Sequence, residues 1–405
     1  MAVSTDVPFT FNEHPERASL LAEAHARPPM DITAGDSEVW HWVLKTSAQD
    51  QELPDMVSSK LQHQVFEFDD CRVRFEQHTE FYTLTYFGAA CPQQAALDFI
   101  QRFPGELLTC LRLVFRTERD EGLEQALLGD RRIFGGKVCE GRIDLKTDFQ
   151  VANRCAIPFV VTGRFDDPYL AGRIAKRIID IETYRMASLL GLTLVRQLSS
   201  ELEDLERRAD DISQTAIELE DTELNDLITR LSAIMSEATN LHSRVRYRFG
   251  ASNAYYAIVE SRLELLNEVV VDDRQTLRGF IEHRLSPAIN TVNSFEKRLH
   301  ELTTQLTSLM DLIRTWVDRH TQLQNQQLLQ SMERRARQQI HISQAVEGLS
   351  VAAITYYGVG LFSTFLKSLP ELAMSKDLIT TLSIPVIAFV VWRLARHVRG
   401  QLDKI

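Results

Sequence analysis

Hydrophobic and polar positions change their period along this chain. Up to about residue 165 they alternate in short runs. Glu38–Thr46, Val65–Glu76, Phe81–Phe87, Leu107–Phe115, Ile143–Phe149 and Pro158–Val161 read as β-strands. Their side chains repeat with the period of two that a half-buried strand needs. Cys71 to Glu76 (CRVRFE) shows it best, with apolar and charged residues in turn. Pro92–Phe103 instead sets Ala96, Leu97 and Ile100 on one helical face. Gly135-Gly136 predicts a tight turn. Residues 1–165 thus predict an α+β domain on a mainly antiparallel sheet.

From residue 166 to about 345 the period is helical. Asp167 followed by Pro168 reads as a capping carboxylate and a first-turn proline. Leu198, Leu202, Leu205, Ala209, Ile212, Ala216 and Leu219 keep the 3,4 spacing of a heptad. The phase slips at Asp221-Thr222, a turn or a stutter, and resumes from Leu224 to Val245. Phe249-Gly250 predicts a helix end, Ser252–Leu285 the next helix, and Ser286-Pro287 another start. The cleanest seam follows: Ala288, Val292, Phe295, Leu299, Leu302, Leu306, Leu309, Ile313 and Trp316. A seam demands a facing helix without naming it. An antiparallel bundle within the chain and a coiled coil between chains, giving a homo-oligomer through the helical region, both satisfy it. One helix running from Pro287 into the last apolar region would span about 80 residues, or roughly 120 Å.

Residues 346–405 predict a two-span membrane hairpin. Gly348–Leu366 is nineteen residues without a formal charge, and Leu378–Trp392 is fifteen more. A bilayer takes about twenty apolar residues per helix, so the second span is short. Arg334, Arg335 and Arg337 precede the first span; Arg393, Arg396 and Arg399 follow the second. Only Lys367 and Lys376 are basic in the connecting loop, beside Glu371 and Asp377. The positive-inside rule places both flanks, and both termini, in the cytoplasm. The six arginines would meet lipid headgroups. Ser350, Thr355, Tyr356, Tyr357, Gly358 and Gly360 are small or hydroxyl-bearing and suit helix packing within the membrane.

Composition narrows the function. The 405 residues carry a net charge of −11, which argues against a nucleic-acid partner. The five cysteines are odd in number, dispersed and without a CxxC, so reduced thiols are expected rather than a zinc site or a disulfide framework. The first twenty residues lack the basic and apolar regions of a secretory signal. No nucleophile elbow, P-loop, HExxH or GxGxxG is present.

One polar cluster stands out. Glu23, His25 and Arg27 alternate with alanine, and Arg74, Glu76, His78 and Glu80 alternate along a predicted strand, which would crowd all four on one face. They could form a metal or acid/base site. The expectation is plainer: a solvated strand face laced by ion pairs, with no metal, cofactor or catalytic role. Glu182 and Arg185 are i,i+3 neighbours on the first long helix, and facing the sheet they would lock helix and sheet together.

EAHARPP (23–29), RFEQHTEF (74–81), PGELL (104–108), KTDF (146–149), AGRIAKRIIDIETYRMASLL (171–190), YRFGASNAYYAIVE (247–260) and SMERRARQQIHISQAVEGLSVAAITYYGVGL (331–361) together resemble one bacterial family of membrane-anchored proteins defined as a domain of unknown function. The likeness covers nearly the whole chain. It implies the bacterial inner membrane as location and brings no activity, substrate or cofactor. Lys146 departs from the aromatic that the pattern leads us to expect before Thr147. In layout alone the chain is also similar to CorA-type magnesium channels, but their Gly-Met-Asn signature is missing after Gly360. The expected function is a membrane-anchored, non-enzymatic coiled-coil protein with a structural or interaction role, and the alternative is a CorA-like oligomeric ion channel or transporter.

Overall fold

The fold is that of a computed structural model. It describes residues 14–17, 20, 21, 29, 32, 36–46, 53–57, 63–151, 156–165, 167, 169–218, 224–271, 274–368 and 376–402, without the side chains of 217, 218, 376, 377 and 398–402. Two compact units divide the chain, Met1–Leu309 and Met310–Ile405.

The first unit holds a mixed sheet of eight strands: β1 (Ser37–Lys45), β2 (His63–Phe68), β3 (Cys71–Gln77), β4 (Phe81–Gly88), β5 (Glu106–Arg116), β6 (Lys137–Val138), β7 (Ile143–Thr147) and β8 (Ile157–Gly163). Their order is β2-β3-β4-β1-β5-β8-β7-β6. All neighbours are antiparallel except β5 and β8. The run Val65–Glu76 is two strands, because Asp69-Asp70 forms a two-residue turn that pairs Phe68 with Cys71. β3 stops at Gln77, so His78 and Glu80 lie in the turn to β4 rather than on the strand face beside Arg74 and Glu76.

Alternation gives the sheet two different faces. One carries Val73, Phe75, Tyr82, Leu84 and Tyr86, packed against Ala96, Phe99 and Phe103 on and just after a short helix, α1 (Gln94–Ile100). A second short helix, α2 (Glu121–Leu128), is capped by the Asp120 carboxylate accepting from the Leu123 N–H. The other face meets three long helices, α3 (Leu170–Glu218), α4 (Leu224–Leu266) and α5 (Leu277–Lys367). Its apolar half, including Val39, Leu111, Leu113, Phe115, Phe159 and Val161, buries Ile174, Ile178 and Ile181 of α3 and Val259 and Leu263 of α4. Burial of each such side chain contributes about 1.5–3 kcal/mol.

Asp167 caps α3 as its position suggests, its carboxylate accepting the Tyr169 N–H at 2.9 Å. Three other boundaries differ from the sequence reading. α4 runs straight through Phe249-Gly250, where Phe249 is fully buried and its packing outweighs the weak helix preference of glycine. The predicted helix Ser252–Leu285 is interrupted instead between Leu266 and Leu277. There Glu268 reaches forward and its carboxylate accepts the N–H groups of Leu277 (2.7 Å) and Arg278 (3.1 Å), capping α5 ten residues ahead of Pro287. Pro287 lies inside α5 on its exposed side, so the carbonyl of exposed His283, which loses its helical donor, can turn to water while Leu285, Ala288 and Ile289 stay buried.

Up to Leu306 the heptad seams close within one chain. Leu198 to Ala216 on α3, Leu227 to Val245 on α4 and Ala288 to Leu306 on α5 present their seam residues buried. Arg244–Glu201 (2.8 Å) and Arg208–Glu237 (2.6 Å) give an antiparallel register for α3 and α4. Arg298–Glu206 (2.5 Å) and the Gln305 amide 3.3 Å from Asp210 run in the same sense and make α5 parallel to α3. Leu219 and the phase slip at Asp221-Thr222 fall outside the described residues.

In the second unit α5 continues to Lys367, and α6 (Lys376–Leu402) follows and runs through Pro385. Every residue from 321 to 345 is exposed. Two helical stretches are long and apolar enough to cross a membrane: an 18-residue window of α5 with mean hydropathy 1.5 and 6% of it buried, and Leu378–His397 with 1.9 and none buried.

Gly135-Gly136 is not a turn but a close crossing. It runs between β7 and the Leu266–Leu277 connection, with the Gly135 N–H donating to the Gln275 carbonyl at 2.9 Å. A Cβ on Gly135 would lie 2.1 Å from the Leu145 carbonyl oxygen, and its φ is +119°. Gly135→Ala should therefore destabilise the protein by about 3 kcal/mol or more. Gly250→Ala, a helix-interior position with nothing within 4 Å of the new atom, should stabilise it by roughly 0.5–1 kcal/mol. Urea midpoints of the two variants should move in opposite directions.

Candidate functional site

The other half of the helix-facing sheet surface is polar, and it is buried. Inward positions of three adjacent strands supply it. Arg74 on β3 pairs with Thr85 on β4, which pairs with His41 on β1; in the next row Glu76 pairs with Thr83 and Thr83 with Val43. Arg74, Glu76, Thr83, Thr85 and His41 are each no more than 5% exposed. α3 covers them with Lys176, Asp180, Glu182, Thr183 and Arg185.

Glu182 is fully buried, and Arg185 forks onto it through two hydrogen bonds of 2.7 Å. The Thr109 hydroxyl of β5 donates to the same carboxylate at 3.4 Å, so this pair does face the sheet. Arg185 also lies 5.5 Å from the ring centre of Phe149. Two residues before Glu182, Asp180 accepts from Lys176 (2.8 Å) and from Arg262 of α4 (2.9 Å).

His41 bridges the two layers. Its Nδ1 is 2.8 Å from the Thr85 hydroxyl and its Nε2 is 3.1 Å from the Thr183 hydroxyl. Burial holds the imidazole well below its usual range, and the nearby charges of Lys176, His78 and Arg74 push the same way. At neutral pH it is the uncharged ring.

The predicted cluster is therefore split. Arg74 and Glu76 form a buried pair (3.7 Å), where a solvated strand face was expected; α3 covers this end of the sheet and excludes water. Glu76 Oε1 and the Thr83 hydroxyl have no hydrogen-bond partner among the described residues. His78 stacks on Phe81 (4.6 Å) and meets the edge of Tyr184. Glu80 accepts from both Arg248 nitrogens (2.8 and 2.5 Å) and from the Tyr255 hydroxyl (3.0 Å), tying the β3–β4 turn to α4. Burial and Glu80 together push the Tyr255 phenol up. Glu23, His25 and Arg27 lie outside the described residues.

Lys146 also has a part. It is buried, 2.6 Å from Glu124 of α2 and 3.4 Å from Asp144. The cysteines Cys71, Cys91, Cys110 and Cys139 are free, and Cys155 lies outside the described residues. Among the described residues no three His, Cys, Asp or Glu side chains come together as a metal site. A cleft of about 550 Å³ opens elsewhere, near Asp36, Glu38, Asp69, Asp70 and Cys71, and its acidic lining disfavours anionic ligands.

In the second unit, Gly358 lets α5 approach α6, where a Cβ would lie 3.1 Å from Ile387 Cγ2. Thr355 is half-buried and donates back to the Val351 carbonyl (2.7 Å). Ser350, Tyr356, Tyr357 and Gly360 are exposed, so they do not pack α5 on α6. Heptad phase explains this, because one helix face reaches the neighbour and the other residues lie around the rest of the circumference. Arg334, Arg335 and Arg393 are exposed, Arg337 pairs with Glu333, and Arg396 lies 5.2 Å from the Trp392 ring. The side chain of Arg399 is outside the described set.

Four of the motifs quoted above meet at the buried polar layer and its Glu80 flank: RFEQHTEF, KTDF, AGRIAKRIIDIETYRMASLL and YRFGASNAYYAIVE. Residues 12–402 match the model of a family described as a protein of unknown function, DUF3422. This chain belongs to that family. No curated protein and no solved structure matches it. The layout-only likeness to CorA-type channels finds no support in these comparisons.

Sequence reasoning reached Glu182–Arg185 through its spacing but missed His41, Asp180 and Lys146. Only the β1 alternation Trp-His-Trp, with histidine on the inner face, could have pointed to the first. Removing one partner of a buried ion pair strands the other charge, at about 3–5 kcal/mol. Glu182→Leu and Arg185→Met should each cost on that order. The double variant should cost clearly less than their sum, which a double-mutant cycle by urea unfolding would read.

Proposed function

We propose that this chain is a membrane-anchored, non-catalytic protein with a structural or interaction role. α5 and α6 insert as a two-span hairpin in the bacterial inner membrane, with both termini in the cytoplasm, and tether the sheet-and-bundle unit to it. The observation that carries this is uncovered apolar surface. Windows with mean hydropathies of 1.5 and 1.9 are 6% and 0% buried, while the seams of the first unit are covered. Apolar surface on that scale calls for lipid or a protein partner. The twenty residues Leu378–His397 make about 30 Å of helix, the thickness of a bilayer's hydrocarbon.

Charge favours lipid. Arg334, Arg335 and Arg337 on one side and Arg393, Arg396 and Arg399 on the other flank the two apolar stretches, as headgroup contacts would. The structural role is supported by the polar layer, whose charges are held in ion pairs within α3, between α3 and α4, and between α4 and the β3–β4 turn. A homo-oligomer remains part of the reading, but its contact would lie outside the seam that the chain's own bundle covers.

Truncation tests the anchor. The full chain should stay with membranes through an alkaline carbonate wash and float with liposomes. A variant ending at residue 345 should be soluble and folded. Flotation of the truncated variant, or release of the full chain by carbonate, would count against the hairpin.

A further inference from the structure

We propose that His41 is an acid-sensitive latch: proton uptake by its imidazole releases α3 from the polar half of the sheet, while the apolar half holds. The proposal is independent of the membrane reading and rests on the geometry of the interface.

His41 is 1% exposed and makes one hydrogen bond to each layer, to Thr85 on β4 and to Thr183 on α3. Both partners are hydroxyls, which donate or accept but carry no charge. The ring therefore fits its site as a neutral group. Protonation would bury a cation without a dedicated carboxylate.

The charged groups on the packed elements make that worse. β3 brings Arg74, held 3.7 Å from Glu76. The β3–β4 turn brings His78, stacked on Phe81. α3 brings Lys176, Asp180, Glu182 and Arg185, and α4 brings Arg262. β5 sets only Leu111 opposite His41. The acids these elements bring are already engaged: Glu76 by Arg74, Glu80 in the β3–β4 turn by Arg248 of α4, Asp180 by Lys176 and Arg262, and Glu182 by Arg185. A new positive charge thus meets Lys176, Arg74 and His78 as the net local field, in agreement with the direction in which burial and these three groups move the ring.

The sign follows from linkage. A ring whose folded affinity for the proton is depressed contributes stability that is complete above the unfolded value near 6.5 and is lost as pH falls below it. When the interface opens, His41 regains that value and takes up one proton. Opening should then become more favourable by up to about tenfold per pH unit below about 6.5. Ile174, Ile178 and Ile181 pack on the apolar half beside Leu111, Leu113 and Phe115, contacts that do not titrate, so that half has no reason to follow.

Peptide-resolved hydrogen exchange of the purified full chain between pH 7.5 and 5.0, corrected for intrinsic exchange, reads the device. Protection in β1 (Ser37–Lys45) and β4 (Phe81–Gly88) should fall with that slope, while β8 (Ile157–Gly163) stays protected. His41→Gln, which keeps two hydrogen bonds but cannot titrate, should abolish the pH dependence. Lys176→Gln removes a neighbouring cation, which raises the proton affinity of the closed state toward that of the open state, so protection should fall less between pH 6.5 and 5.0. This second variant keeps His41 and decides the matter even if His41→Gln does not fold. Equal loss of protection in β1, β4 and β8, an unchanged slope in His41→Gln, or a loss of protection that Lys176→Gln does not lessen would each overturn the proposal.

Discussion

Glu182 sits at zero exposure between helix and sheet, and the fork of Arg185 onto it is the interaction on which the first unit turns. A carboxylate at that depth costs several kcal/mol unless it is paired and its remaining lone pairs are used. Arg185 and Thr109 do both, and the Thr109 bond from β5 ties α3 to its place along the sheet. The neighbours then follow. Thr183 is brought to His41, Asp180 is brought to Arg262 of α4, and Tyr184 is brought to the rings of Phe81 and Tyr255. An apolar interface of the same size would tolerate sliding by a turn, whereas sliding here would break the hydrogen bonds of Thr109 to Glu182 and of His41 to Thr183.

The same helix carries the bundle. Beyond Ser188, α3 leaves the polar layer and presents the heptad residues Leu198 to Ala216 to α4 and α5. Gly191 marks the passage, since a Cβ there would lie 2.5 Å from the Ser252 hydroxyl oxygen of α4 and 3.3 Å from Val292 of α5. Close approach at this crossing sets the helix spacing from which the seams start. The ion pairs farther along, such as Arg208–Glu237, are exposed, and such pairs contribute about 0–1 kcal/mol. They identify the register more than they hold it.

Much of this was legible in the residues. Alternation found the long strands, and 3,4 spacing found the bundle helices and the buried seam. What escaped did so for physical reasons. Glycine at 250 and proline at 287 are local signals, and local preferences of about 1–3 kcal/mol yield when a buried face continues through them. Gly135-Gly136 looks like a turn because a turn and a close backbone crossing both need a residue without Cβ, and only the three-dimensional partner distinguishes them. The polar cluster misled because charge alternation along one strand does not say whether a helix will cover it. Arg74 and Glu76 are covered, and His78 and Glu80 lie one and three residues past the end of the strand.

The two units satisfy opposite solvation rules. In the first, most buried charges are paired and the seam and sheet cores are covered. In the second, Tyr356, Leu361 and Leu349 are more than 70% exposed along α5, and Leu382 and Val386 more than 60% along α6. Water penalises such a surface at roughly 25 cal/mol per Å², so a handful of these side chains outweighs the few kcal/mol by which a domain is stable. The contrast between the buried charges of the Glu182 layer and this bare apolar surface is what supports the proposal that the apolar stretches of α5 and α6 meet lipid.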